Sequence, residues 1–204
     1  MLQFHDRIGN SPSTPRHGFL PTMPQDTIST IRNKPSGLLG IPDSRPTRES
    51  VLKRLSEALM RRSLTKIDLS QRGLCGSDAR LVKMALSQNA KLSILKLGYN
   101  NLGDDGVKTL ALGISAHRAL ASLDLGFNHV GDEGCNALAE ALAGSGLHTL
   151  YLAGNHIGGD GAMGLADAIR KGCALQKLHL TGNRLGSEGV KAITEAIVEV
   201  ELRQ

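Results

Sequence analysis

Three side chains able to do acid–base chemistry recur at nearly equal spacing in this sequence: Asp124, Tyr151 and His179. A carboxylate, a phenol and an imidazole brought side by side could transfer protons. However, no serine or cysteine is evidently paired with His179 as a nucleophile, and an enzyme site also requires a water-excluding pocket. We therefore predict that the chain is not an enzyme and that these residues contact a partner.

Four short glycine-rich segments, LGDDG, VGDEG, IGGDG and LGSEG, resemble phosphate-binding loops only superficially. They lack the G-x-x-x-x-G-K-[ST] pattern, and acids such as Asp104 and Asp105 lie inside them. The three cysteines (Cys75, Cys135 and Cys173) are far apart and form no C-x-x-C metal-binding pair. We predict no cofactor, no bound metal and no catalytic residue.

These glycine-rich segments belong to a longer repeat of 27 or 28 residues. Five segments align from Leu64 onward, and they begin LTKIDLSQR, LSILKLGYN, LASLDLGFN, LHTLYLAGN and LQKLHLTGN. Four of them match L-x-x-L-x-L-x-x-N, whereas the first has Arg72 at the Asn position. The predicted repeats are 64–91, 92–119, 120–146, 147–174 and 175–204.

With these motifs, residues 64–204 resemble the leucine-rich repeat family, specifically its ribonuclease-inhibitor-like class. The resemblance implies an α/β solenoid, a short horseshoe arc with parallel strands on its concave face and helices on its convex face. The repeats are similar to those of NLR-type receptors and of the Ran GTPase-activating protein. Since these proteins act through protein surfaces, the resemblance implies protein binding.

The residues of each repeat predict the same layout. Leucines at period two share one strand face, and four asparagines at the strand exits should hydrogen-bond neighbouring turns: Asn100, Asn128, Asn155 and Asn183. Asp104, Asp132 and Ser187 then sit where a helix cap is wanted. Apolar residues at helical spacing follow, such as Val107, Leu110, Ala111 and Ile114, with a last set of Val190, Ile193, Thr194 and Ile197.

The side chains opposite the buried leucines should point outward from the concave face. The third position of each repeat has Lys66, Ile94, Ser122, Thr149 and Lys177, and the fifth has Asp68, Lys96, Asp124, Tyr151 and His179. Tyr99 and Phe127 follow at the eighth position. Since aromatic residues are favoured interface anchors, we predict partner contacts from Lys66, Asp68, Lys96, Tyr99, Asp124, Phe127, Tyr151, Lys177 and His179. An alternative for Tyr99 and Phe127 is ordinary packing over the turns.

The two ends of the chain differ from the repeats. Residues 1–46 contain all seven prolines and no sustained period, so we predict a disordered tail. Residues 47–63 should form a helix that caps the first strand. The C-terminal end lacks a comparable cap, so we expect that a partner covers it, that the final residues fold over it, or that the chain is a fragment of a longer array.

The charge and cysteine content limit the partner and the compartment. Residues 1–63 hold ten Lys and Arg against five Asp and Glu, whereas the repeats are neutral. The sequence contains no run of 18 apolar residues, so we expect no membrane-spanning helix, and its first residues lack the apolar stretch typical of a secretory signal. We predict a cytoplasmic or nuclear protein with reduced thiols. Nucleic acid is a disfavoured partner, because no stacking aromatics accompany the basic segment 53–62.

Together these features predict a protein–protein interaction module, a scaffold or adaptor that binds a partner through the concave face and adjoining loops. The alternative is a regulator of a small GTPase, similar to the Ran activator. That alternative lacks an acidic tail and a recognisable activating residue.

Overall fold

The computed structural model describes residues 3–4, 49–50, 52–53, 57 and 63–202 of the 204-residue chain. The strands are β1 (Gln3–Phe4), β2 (Lys66–Asp68), β3 (Ile94–Lys96), β4 (Ser122–Asp124), β5 (Thr149–Tyr151) and β6 (Lys177–His179). The helices are α1 (Ala79–Gln88), α2 (Gly103–Ile114), α3 (Asp132–Leu142), α4 (Gly159–Arg170) and α5 (Gly186–Glu201), with a 3₁₀ turn at Gly76–Asp78 before α1.

One open sheet joins these strands in the order β1-β6-β5-β4-β3-β2. All of its pairs are parallel, and each of the strands β2 to β6 lies next to the strand one repeat away. Each of those strands is followed along the chain by a helix. This arrangement confirms the predicted α/β solenoid arc, in which every repeat contributes one strand and one helix.

The strands form where the leucine pattern alternates. The central residues of β3 to β6 are the buried leucines Leu95, Leu123, Leu150 and Leu178, paired with one another in register. Ile67, the equivalent residue of β2, is half-buried. Burying one leucine side chain contributes roughly 1.5–3 kcal/mol, so the ladder of leucines is a main source of the stability of the stack.

The helices bury the predicted apolar stripes against the sheet. Val107, Leu110, Ala111 and Ile114 of α2 are all buried, and so are their equivalents in α3 and α4. The prediction is wrong in part for α5, where Thr194 is exposed and Val190 and Ile197 are only half-buried. The reason is that α5 packs on α4 from one side, while no later helix of the described residues covers its other side.

The sequence also predicts that Asp104, Asp132 and Ser187 cap the helices that follow them directly, and this is wrong. All three lie within helices, and none of these helices is capped by the side chain of its own N-cap residue. Instead, Oδ1 of Asp104 accepts hydrogen bonds from the backbone N–H groups of Gly131 (2.7 Å) and Gly134 (2.9 Å) of the next repeat.

In the following repeat, Oδ1 of Asp132 likewise accepts hydrogen bonds from the backbone N–H groups of Gly158 (2.7 Å) and Gly161 (2.8 Å). At the corresponding place in the following repeat, Gly159 has no carboxylate to continue this series. Two successive helices are therefore capped by the repeat that precedes each of them.

The asparagines at the strand exits join successive turns. Asn128 is fully buried, its Nδ2 donates to the carbonyls of Leu97 (2.9 Å) and Gly126 (3.1 Å), and its Oδ1 accepts from the N–H of Leu102 (3.4 Å). Asn100, Asn155 and Asn183 make equivalent bonds to the preceding repeat. These amides occupy the backbone groups that irregular turns would otherwise leave buried without partners.

The C-terminal end of the sheet is not an open edge, contrary to the prediction. Gln3 and Phe4 pair in parallel with Lys177 and Leu178, so β1 occupies the edge of the sheet beside the last strand. An edge strand offers unpaired N–H and C=O groups, and this pairing satisfies part of them. The other residues of the predicted tail 1–46 lie outside the described residues, and association through the C-terminal end stays a prediction.

The predicted capping segment 47–63 is described in part. Glu49, Ser50, Leu52, Lys53 and Glu57 have helical backbone, and Leu52 is half-buried against the core. Its role as a cap stays a prediction. In the described part of the chain, we find no helix that is both long and apolar enough to cross a membrane.

Candidate interaction surface on the strand side

The strand face is the surface formed by the third and fifth positions of the five repeats. Its members are Lys66, Ile94, Ser122, Thr149, Lys177, Asp68, Lys96, Asp124, Tyr151 and His179, each fully or partly exposed. The alternation within each three-residue strand places them opposite the buried leucines. The sheet thus brings together in two rows residues that are 27 or 28 positions apart in the sequence.

The row formed by the fifth positions contains alternating charges followed by two rings. In register, Asp68 lies beside Lys96, Lys96 beside Asp124, and Asp124 beside Tyr151. Burial would raise the pKa of Asp68, but hydrogen bonds from Ser70 and the cations Lys96 and Lys66 outweigh it and hold that pKa below its usual value. Asp68 therefore stays a carboxylate, so this end of the row has fixed charges of both signs.

Tyr151 and His179 meet face to face at the other end of that row. Their ring centroids are 4.4 Å apart and their planes differ by 10°. Asp124, the third of the candidate acid–base residues, accepts a hydrogen bond from the backbone N–H of Gly126 through Oδ1 (3.0 Å). The three side chains thus come from adjacent strands, and Tyr151 and His179 form a stacked, partly exposed ring pair.

A second ring stack lies beyond the strand ends, at the eighth position of the repeats. The centroids of Tyr99 and Phe127 are 4.5 Å apart with an angle of 8° between the rings. Tyr99 is 56% exposed and Phe127 is 47% exposed. The Phe127 ring lies beside Gly154 in the turn of the next repeat, and both rings leave large aromatic surfaces exposed.

The backbone at this eighth position is unusual. Tyr99 and Phe127 have φ of 59° and 56°, in the left-handed region, where the same position of the last two repeats has Gly154 and Gly182. For a residue with a side chain this conformation costs about 1–2 kcal/mol. The aromatic residues are therefore not the residues that the turn itself prefers.

The structure adds one pair of candidate residues that the sequence reasoning missed. His129 and His156 are exposed, with Nδ1 of His129 3.2 Å from Nε2 of His156 and ring centroids 5.4 Å apart. Both occupy the tenth position of successive repeats, one position after the structural Asn. The recurrence of histidine at that position is the sequence signal that could have identified the pair.

Comparisons with known proteins agree with the repeat fold. A family model described as "Leucine Rich repeat" matches residues 88–111, 117–139, 147–166 and 173–193. The divergent first repeat lies outside these segments, except for its last residues. No curated protein matches the chain significantly in sequence.

Two solved structures share the fold. One is titled "Leiomodin-1 Actin-Binding Site 2 (ABS2)", with a TM-score of 0.63 and 19% identity over 76% of this chain and 92% of that one. The other is the tropomodulin C-terminal domain of Caenorhabditis elegans, with a TM-score of 0.60 and 17% identity over 76% of this chain and 96% of that one. With its leucine ladder, its asparagine-linked turns and its matched repeats, the chain is a leucine-rich repeat protein.

Proposed function

We propose that the chain is a protein-interaction module whose partner binds the strand face and the adjoining Tyr99–Phe127 stack. The observation that carries this proposal is the exposure of that stack on a left-handed backbone. An aromatic pair contributes about 0.5–1.5 kcal/mol beyond its buried area. This gain does not offset two residues that each cost about 1–2 kcal/mol in that conformation.

The remaining gain would come from burying the exposed ring surfaces under a partner. Rigid aromatic side chains bury large areas at low entropic cost and are therefore frequent anchors in protein interfaces. The neighbouring row of Asp68, Lys96 and Asp124 offers charges of alternating sign. Such a pattern would select a partner with the complementary order of charges.

The size of the sheet indicates that residues outside the strands also contribute. Parallel strands lie about 4.8 Å apart, so the five strands of the repeats span roughly 20 Å. A standard interface uses about 800 Å² on each partner, which three-residue strands alone do not supply. The turns with Tyr99, Phe127, His129 and His156 directly extend the strand face and are the expected additional contacts.

Actin is the first partner to test, because the name of the leiomodin-1 structure describes an actin-binding site. Binding of monomeric actin is measured for the full chain and for a variant with Tyr99→Ala and Phe127→Ala together. A control variant, Met163→Ala, removes an exposed side chain of similar size from helix α4. We expect the double variant to weaken binding at least tenfold and the control to leave it unchanged.

If actin does not bind, the same surface is tested against the proteins recovered from a cell lysate. The intact chain is compared there with the Tyr151→Ala, Asp124→Ala double variant, with circular dichroism to verify the fold of each. Loss of the same partner from both double variants supports the strand face. A partner that survives both double variants at full affinity would reject this surface.

The GTPase-regulating role is a separate hypothesis with its own test. GTP hydrolysis by a panel of small GTPases is measured with and without the chain. Acceleration of any of them would replace the binding-only proposal, since a module that only binds would leave the hydrolysis rate unchanged.

A further inference from the structure

A second surface lies on the helix side, in a groove between α1 and α2. Its volume is about 490 Å³, and its walls include the apolar residues Leu86, Ala90, Leu112 and Ala116. Gly113 allows this shape, because a Cβ there would stand 3.2 Å from Cδ1 of Leu86. The groove is distinct from the strand face, since the helices and strands form opposite sides of each repeat.

The repeat pattern singles out this groove. Leu112 is 65% exposed, and Met84 occupies the same position one repeat earlier with 53% exposure. The three later repeats have exposed acids at this position: Glu140, Asp167 and Glu195. A solvated helix face favours such charged residues. Met84 is not among the lining residues of the groove, but Leu112 is, and its exposed apolar side chain indicates that this surface is covered when the protein functions.

The charges around the groove are of one sign. Lys83 and Arg118 line it, and Lys91 follows directly after Ala90. The sequence has no Asp or Glu between Asp78 and Asp104, so α1 has no acid of its own. The C-terminal ends of α1 and α2 each contribute roughly half a negative charge, which three cations exceed. The groove is thus apolar at its centre and positive at its border.

We propose that this groove binds an acidic amphipathic helix of another protein, with apolar side chains against Leu112 and Leu86 and carboxylates near Lys83 and Arg118. A helix laid into a groove between helices is a common mode of peptide recognition. The charge argues against the N-terminal segment 1–63 as the occupant, because it has ten basic and five acidic residues. A second copy of the chain is the competing occupant, and sedimentation tests it below.

The test uses a synthetic 20-residue helix with leucines on one face and glutamates elsewhere, labelled with a fluorophore, and a counterpart with lysine at every glutamate. Fluorescence anisotropy measures the binding of both to the full chain. We expect the acidic peptide to bind, with an affinity that falls as salt is raised, and the basic peptide not to bind. Equal binding of both peptides, or no binding of the acidic one, would overturn the proposal.

Substitutions then locate the site. Leu112→Glu introduces the acid type of the later repeats, and Met163→Glu makes the same charge change at an exposed helix position outside the groove. We expect at least a tenfold loss for Leu112→Glu and little change for Met163→Glu. Leu112→Ala, which leaves the charge unaltered, should also weaken binding severalfold.

Other outcomes assign the peptide elsewhere. Equal losses of peptide affinity in Leu112→Glu and Met163→Glu would mean that net charge alone controls binding, and would overturn the proposal. A loss of affinity confined to the Tyr99→Ala, Phe127→Ala variant would place the peptide on the strand side and would also overturn it. Sedimentation equilibrium completes the test. If the chain self-associates and Leu112→Glu abolishes this self-association, a second copy occupies the groove and the proposal is overturned.

Discussion

The Phe127 ring lies directly over the backbone of Gly154, so closely that a Cβ on this glycine would overlap the ring. Gly154 has φ of 68° and occupies, one repeat later, the position that Phe127 itself occupies. The absence of a side chain in one repeat thus makes room for the ring of the previous one. The Tyr99–Phe127 stack depends on a glycine that makes no contact through a side chain.

We predict that Gly154→Ala destabilises the protein and displaces the Phe127 ring. The new methyl group adds an overlap with the ring to the backbone cost, which is about 1–2 kcal/mol in the left-handed region. Urea unfolding measures the free energy, and Gly172→Ala is the matched control, with φ of 84° and open space around its Cβ. Equal losses in the two variants would mean that the ring contact contributes nothing.

The carboxylate of Asp104 should stabilise the next repeat and not its own. Asp104→Ala leaves the N–H groups of Gly131 and Gly134 without their acceptor. The loss of a helix cap costs about 0.5–2 kcal/mol. We expect a decrease of that size in unfolding free energy and faster hydrogen exchange at the start of α3. Asp105→Ala, at the exposed neighbouring position, should have a much smaller effect; faster exchange at the start of α2 instead would contradict this assignment.

Asn128→Ala should be among the most damaging single substitutions in the turns. The Leu97 carbonyl keeps a bond from Nδ2 of Asn100 and the Gly126 carbonyl keeps one from the Tyr99 N–H, but the Leu102 N–H loses its acceptor in a fully buried site. A buried N–H left unsatisfied costs about 1–3 kcal/mol and each of the two other lost hydrogen bonds about 0.5–1.5 kcal/mol, so we expect a total loss of roughly 2–4 kcal/mol in chemical denaturation. Asn101→Ala is the control, because Asn101 is exposed and follows directly after Asn100, the equivalent of Asn128 in the preceding repeat. A loss below about 1 kcal/mol would show that water replaces the amide.

The Cys135 thiol should be inert in the folded protein. It is buried, its Sγ donates a hydrogen bond to the Gly161 carbonyl, and burial together with the carboxylates of Asp132 and Asp104 raises its pKa well above the usual 9.0. Only the thiolate reacts, so we expect no labelling of Cys135 by a thiol reagent at pH 8 and rapid labelling in urea.

The raised pKa also gives Cys135 a pH-dependent effect on stability. The folded state disfavours its ionised form, so the contribution is complete below pH 9, the ordinary value, and is lost as the pH rises above it.

Mass mapping of the labelled peptides, with Cys75 as the less buried internal reference, checks the labelling. Labelling of Cys135 as fast as that of Cys75 in the folded state would contradict the prediction.

The sequence by itself determined the repeat unit, its strand and helix, and the outward or inward direction of most of its residues. Lys96 and Asp124 could be placed on an exposed row, and Leu95 and Leu123 in the core, because these directions follow from the local periods of strands and helices. The neighbours of Tyr151 and Asp124 followed from the alignment of the repeated motif, whose period of 27 or 28 residues sets the register between strands.

Only the tertiary structure decided which repeat each side chain contacts. The carboxylate of Asp104 reaches the helix of the next repeat, Gln3 and Phe4 pair with β6, and Leu112 borders a groove made by two helices. None of these contacts leaves a periodic signal in one repeat, because they depend on how far one unit is displaced from the next and on which rotamers fit between them. Local patterns determine the faces of a unit, whereas the stacking of units determines what those faces meet.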